Sequence, residues 1–72
     1  MADTAFDAMG ILRAGGGLEV DGAAYSTFDL QGMARAAGDS GAILVIYNAG
    51  AKSTFDKQGL AHMGKGKVVF RD

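Results

Sequence analysis

Few residues in this chain have the type and spacing that chemistry requires. Gly59-Leu60-Ala61-His62-Met63-Gly64-Lys65 fits the first part of a phosphate-binding loop, whose backbone amides and lysine would cradle phosphate oxygens. Gly66 stands at the Ser/Thr position, however, and the segment closes a helical pattern where a phosphate cradle opens one. His62 is the single histidine, and no second ligand or nucleophile lies at a recognised spacing from it. It aligns with Arg35 and Arg13 in an internal repetition of the chain, which marks a polar outer helix position. With no cysteine, there is no disulfide, no thiolate metal site and no cysteine nucleophile. Lys65 and Lys67 form a small basic cluster that reads as a solvated loop. Without interleaved aromatics, and at a formal net charge of −1, the chain is not expected to hold nucleic acid or an anionic membrane. No catalytic residue, no cofactor and no metal follow from the residues. An enzyme site formed only between subunits is the remaining catalytic option.

One other place could take a ligand. Asp21-Gly22-Ala23-Ala24-Tyr25-Ser26 and Asn48-Ala49-Gly50-Ala51-Lys52-Ser53 join expected strand ends to expected helix starts. That rim is the usual side for α/β ligand crevices, and a small molecule or anion could sit there. Asp29 and Asp56 already occupy the electropositive helix ends, which weakens the anion reading.

The elements that would position these residues repeat along the chain. Ser26-Thr27-Phe28-Asp29 recurs as Ser53-Thr54-Phe55-Asp56 at an offset of 27, and the match continues through Gln31/Gln58, Gly32/Gly59, Met33/Leu60 and Ala34/Ala61. A weaker copy lies 22 residues before the middle one. There Thr4, Phe6 and Asp7 align with Ser26, Phe28 and Asp29, and Gly10 to Arg13 align with Gly32 to Arg35. Three units, at about 4–20, 26–47 and 53–70, fill a single domain spanning 1–72.

Each unit reads as a helix followed by a strand. Thr4, Ser26 and Ser53 are N-caps with an acid three residues on, a variant capping box. Tyr25 is placed to staple onto Leu30. Leu30, Met33, Ala34 and Ala37 follow the spacing of one buried helical stripe, with Ala8, Ile11, Leu12, Leu60 and Ala61 at matching positions. Lys57 interrupts that stripe in the third unit. Glycines are expected to stop the helices at Gly15 to Gly17, at Gly38 with Gly41, and at Gly64 with Gly66. The short segments Leu18–Val20, Ile43–Tyr47 and Val68–Phe70 then read as strands. This alternation implies a parallel sheet with right-handed crossovers. The middle strand, apolar on both faces, belongs at the centre. The expectation is an α/β fold: three helix–strand repeats forming a short right-handed solenoid, with strand order 1-2-3 and the helices on one face. In architecture this resembles a leucine-rich-repeat-like coil, and the chain is similar to short bacterial α/β-repeat proteins of unknown function. The likeness covers the whole chain, lacks the asparagine ladder of the leucine-rich consensus, and carries no catalytic residue across.

Two surfaces are left over. The outer sheet face would carry Ile43, Val45, Tyr47 and Val69 within a charged rim of Glu19 and Arg71, and no second helix layer exists to cover it. That face is the expected homodimer interface. The second surface is the recurring pair of phenylalanine and glycine at i, i+4: Phe6–Gly10, Phe28–Gly32 and Phe55–Gly59. Each Phe is expected to pack over its own first turn and a neighbouring helix's glycine; the alternative is an exposed ladder for a protein partner.

Composition points toward association as well. Alanine makes up 13 of the 35 apolar residues, and Met1 is set outside the core. A chain of this length seldom draws more than about 3–5 kcal/mol from one core, so self-association is the remaining source of stability. Met1-Ala2-Asp3-Thr4 carries no basic leader region, and the longest apolar run, Ala42 to Tyr47, is far short of the roughly 20 residues that span a bilayer. The expected location is therefore cytoplasmic, and the expected role a non-enzymatic self-associating or protein-interaction module.

Overall fold

Three helices start on the same chemistry. In a computed structural model describing residues 4–72, the side chains of Thr4, Ser26 and Ser53 each accept a hydrogen bond from the backbone N–H of the aspartate three residues on, at 3.1 Å in every case. The three cap residues share nearly one backbone conformation, with φ of −70°, −69° and −69°. Each cap satisfies one of the orphan amides of the first turn, and Asp7, Asp29 and Asp56 oppose the positive helix end. The expectations placed on Met1 to Asp3 lie outside the described residues.

The resulting order is α1 (Ala5–Arg13), β1 (Leu18–Asp21), α2 (Thr27–Ser40), β2 (Leu44–Tyr47), a single 3₁₀ turn (Ala49–Ala51), α3 (Thr54–Gly64) and β3 (Val68–Phe70). The strands form an open parallel sheet in the order β1-β2-β3. Leu18 pairs with Leu44 and Leu44 with Val68; Val20 pairs with Ile46 and Ile46 with Phe70. Strand alternation then puts Leu18, Val20, Leu44, Ile46, Val68 and Phe70 on one face. All six join the apolar cluster formed with Leu12, Leu30, Met33 and Leu60 of the helices. Leu44 and Ile46 are fully buried, because β2 is flanked by strands on both sides and roofed by helices. The shortest dimension, 18 Å, is what one sheet and one helix layer require.

The helix stops differ in part from expectation. Gly41 does terminate α2, in the left-handed region at φ 82°, with its amide bonded to the Ala37 carbonyl. Gly38 is not a stop. It lies inside α2, where an added Cβ would come within 2.7 Å of the Met63 carbonyl oxygen and 3.0 Å of the Gly64 carbonyl carbon. Its role is close backbone approach between α2 and α3. Gly64 does stand at a helix end: it is the last residue of α3, buried against Val68, and the left-handed conformation falls on Lys65 and Gly66 at φ 52° and 83°. Sequence reading puts glycine at helix ends by conformational preference; here steric contact with the neighbouring helix claims Gly38, and contact with Val68 of β3 claims Gly64.

Hydrogen bonds tie the units together at several levels. Thr27 Oγ1 donates to Asp56 Oδ2 (3.4 Å), joining the first turns of α2 and α3. Ser40 Oγ donates to the Leu12 carbonyl, joining the last turns of α1 and α2. Asn48 Nδ2 donates to Asp21 Oδ1 (3.0 Å), joining the ends of β1 and β2. Among the described residues, no helix is long and apolar enough to cross a membrane.

Candidate interaction surface

The phenylalanines occupy the side of each helix turned away from the sheet. In α2, Leu30, Met33 and Ala37 point to the core and Gly38 to α3, which leaves Phe28 and Arg35 outward. Phe6, Phe28 and Phe55 are 77, 80 and 83% exposed. The three helices pack side by side, α1 on α2 and α2 on α3, and the Thr27–Asp56 bond holds the first turns of the last two level. The rings therefore form a row across the helix layer, one per helix.

The expected packing of each Phe onto a neighbouring glycine is not what holds these glycines. Gly32 receives Met9 of α1, whose Cε and Sδ would lie 2.7 and 2.9 Å from an added Cβ. Gly10 and Gly59 face open space. A thioether reaches across an interhelical gap where a rigid ring at the first turn cannot. The outcome is a groove of about 290 Å³ between α1 and α2, lined by Met9, Phe28, Gln31, Gly32 and Arg35. It is apolar at its floor with one guanidinium at its side.

The outer sheet face carries Ile43, Tyr47 and Val69 exposed and Val45 half-buried. The register places Glu19, Val45 and Val69 in one row and Asp21 and Tyr47 in the next. The rim charges do not simply fringe this face. Arg71, following β3, is hydrogen-bonded and ion-paired to Glu19 of β1, so the two side chains meet across β2. That bridge passes over the Val45 region, and aliphatic stems of this kind cover apolar surface. A partner seated on this face would have to displace or incorporate the pair.

At the strand C-terminal rim, Ala23, Asn48, Gly50, Ala51 and Asp72 line an open depression of about 410 Å³. Asp21 Oδ1 accepts from both Asn48 Nδ2 and the Ala23 amide. The Asn48 bond first, and the Ala23 amide second, hold the Asp21 carboxyl below its ordinary 3.8. Asn48 itself takes the left-handed conformation at φ 54°, where asparagine is better tolerated than most residues. Asp21 and Asp72 bring two carboxylates to this rim, and Asp29 and Asp56 oppose the helix N-termini beside it.

The segment resembling a phosphate-binding loop closes α3: Gly59 to Gly64 are helical and Lys65 is the left-handed cap. His62 is exposed on that helix. Lys65 pairs with Asp39 at 3.2 Å, with both side chains well exposed, which makes it a weak surface contact. Among the described residues, no group of three or more His, Asp or Glu side chains is arranged to hold a metal ion. No family model, no curated protein and no solved structure matches this chain.

Proposed function

We propose that this chain is a non-enzymatic self-associating or protein-interaction module, built as a short right-handed α/β solenoid of three helix–strand repeats. The single observation that carries the reading is the row of three equivalent phenylalanines, each more than three-quarters exposed, on one surface of a small domain. Exposing one such ring is unremarkable; repeating it once per helix, with the first-turn chemistry unchanged, is a patterned apolar surface. Support for the solenoid comes from the shared cap geometry, the sequential parallel order and the strong preference of such crossovers for one hand. The outer sheet face, with Ile43, Val45, Tyr47 and Val69, is the proposed dimer surface, and the helix-layer groove beside Phe28 the proposed seat for an apolar side chain of a protein partner. A cytoplasmic location goes with this reading.

Two measurements test it. Light scattering should give an average mass of at least a dimer for the wild type at high micromolar concentration and a lower mass for Tyr47→Lys; a monomeric wild type sinks the sheet-face dimer. Fluorine-labelled phenylalanine should give three solvent-responsive resonances in the isolated protein. Solvent-insensitive resonances would refute the exposed ladder.

The alternative is a small-molecule or anion binder at the strand C-terminal rim, favoured by the depression beside Asn48 and Asp72. The carboxylates there favour a neutral or cationic small molecule over an anion. A ligand-induced rise in melting temperature across a metabolite panel would support it.

A further inference from the structure

We propose that copies of this chain also stack end to end, the α3/β3 end of one copy docking on the α1/β1 end of the next, so that the parallel sheet continues from chain to chain. This deepens the self-association reading but uses the ends of the sheet, not its faces. Three observations carry it.

The first is the burial pattern at matching positions. Ile11, Met33 and Leu60 occupy one position of the repeated helix. Met33 and Leu60 are fully buried, each with a helix before it; Ile11, with none before it among the described residues, is exposed. Leu12, Ala34 and Ala61 occupy the neighbouring position. Leu12 and Ala34 are fully buried, each with a helix after it, and Ala61 is exposed. The two ends thus leave open the two positions that packing between units covers inside the chain. One end is the complement of the other.

The second is the polar chemistry of the same junction. Thr27 Oγ1 of α2 bonds Asp56 of α3. The corresponding partners at a chain-to-chain junction are Thr54, at the start of α3, and Asp7 of the next copy, both exposed. Among the described residues, β1 and β3 each pair with β2 alone, so each has an outer edge with unpaired backbone groups. Continuing the register sets Arg71 beside Asp21 of the next copy.

The third is charge. Setting aside Glu19 and Arg71, which pair with each other within the chain, residues 4–25 hold two acids and one basic residue, whereas residues 48–72 hold four basic residues and two acids. An acidic end meets a basic end, which steers head-to-tail docking and opposes head-to-head docking. Lys57, standing where Leu30 and Ala8 are buried, keeps the junction from being wholly apolar, so the contact is reversible and salt-sensitive. A contact of this heterologous kind does not close on itself and builds open chains of copies.

The test uses two variants of the full chain, Ile11→Lys and Ala61→Lys, each blocking one end. Sedimentation of the wild type should show an average mass that keeps rising with concentration beyond the dimer and falls as salt is raised. Each variant alone should lose that end-to-end growth, and an equimolar mixture should recover one junction, because each supplies the end the other lacks. Combining each with Tyr47→Lys removes the sheet-face contact, so the pair should then read as monomers alone and as a dimer when mixed. Thermal unfolding confirms that each variant is folded; Asp7→Lys, at an exposed first-turn site, serves in place of Ile11→Lys if that variant is not. A wild type that plateaus at the dimer, or a mixture that behaves as its components do, overturns end-to-end stacking and leaves the sheet-face reading standing. A wild type that stays monomeric at high micromolar concentration overturns both.

Discussion

Replacing Gly38 by alanine should push apart two helices that touch backbone to backbone. An alanine Cβ there would sit 2.7 Å from the Met63 carbonyl oxygen, 3.0 Å from the Gly64 carbonyl carbon and 3.1 Å from the Gly64 oxygen. None of these atoms is the far end of a flexible side chain, so relief requires α3 to move. Overpacking of this kind costs typically 1–3 kcal/mol, and rigid backbone places the cost near about 3 kcal/mol. Alanine in a helix interior returns about 1 kcal/mol over glycine. The net loss is about 2 kcal/mol, roughly a thirtyfold shift in the folding equilibrium. Gly59→Ala supplies the control. Gly59 lies in α3 with no atom within 4 Å of the added Cβ, so the same substitution should gain up to about 1 kcal/mol. For a domain of this size that is a rise of about 4–8 °C in Tm for Gly59→Ala and a fall of about 8–16 °C for Gly38→Ala. Gly32→Ala should fall between them, because only the flexible end of Met9 must yield. Thermal and urea unfolding at a single protein concentration, with unchanged m-values, would read these differences. If Gly38→Ala stabilises as much as Gly59→Ala, the close approach of α2 and α3 is refuted.

The remaining predictions concern a cap, the core, a bridging hydroxyl and a carboxylate. Lys65→Gly should raise stability by about 1 kcal/mol in urea unfolding by relieving the left-handed cap at φ 52°, since the Lys65–Asp39 pair it removes is solvent-exposed and contributes little. Leu44→Ala, in the fully buried centre of β2, should cost about 2–5 kcal/mol and leave little folded protein at 37 °C by circular dichroism. Ser40→Ala should cost about 1 kcal/mol, because it removes the donor to the Leu12 carbonyl; a double-mutant cycle is unnecessary, since the acceptor is backbone. Asp21 has a depressed carboxyl pKa, so its stabilisation is present above about 3.8 and is lost as pH falls through its lower folded value. Asp21→Asn should therefore flatten the acid limb of the stability profile below that pH, and an unchanged acid limb would show that the Asn48 and Ala23 bonds carry no linkage.

Much of the fold is legible because its signals are local. Thr4, Ser26 and Ser53 announce helix starts by side-chain chemistry that acts within three residues, and each start falls where that chemistry puts it. The apolar run Ala42 to Tyr47 reads as a strand covered on both faces and therefore central; β2 is the central strand, with helices on one face and Ile43 and Tyr47 exposed on the other. The strand phase is not legible in β2, which is apolar on both faces; the burial of Leu44 and Ile46 decides it. The candidate surfaces are legible in part: the phenylalanines could be found by their spacing, but not whether they pack or project.

What the sequence determined by itself is the order and kind of its elements, since capping, hydrophobic period and apolar run length are properties of neighbouring residues. The tertiary structure decided how the glycines are used. Gly38 reads locally as a helix stop and serves instead as the place where α2 meets the backbone of α3, a contact set by residues about 26 positions apart in the chain. It also decided that Met9, not a phenylalanine, fills the space over Gly32, and that Arg71 reaches across β2 to Glu19. These outcomes depend on how far apart the packed elements sit. That distance is a property of the assembled layers, and no window of sequence contains it.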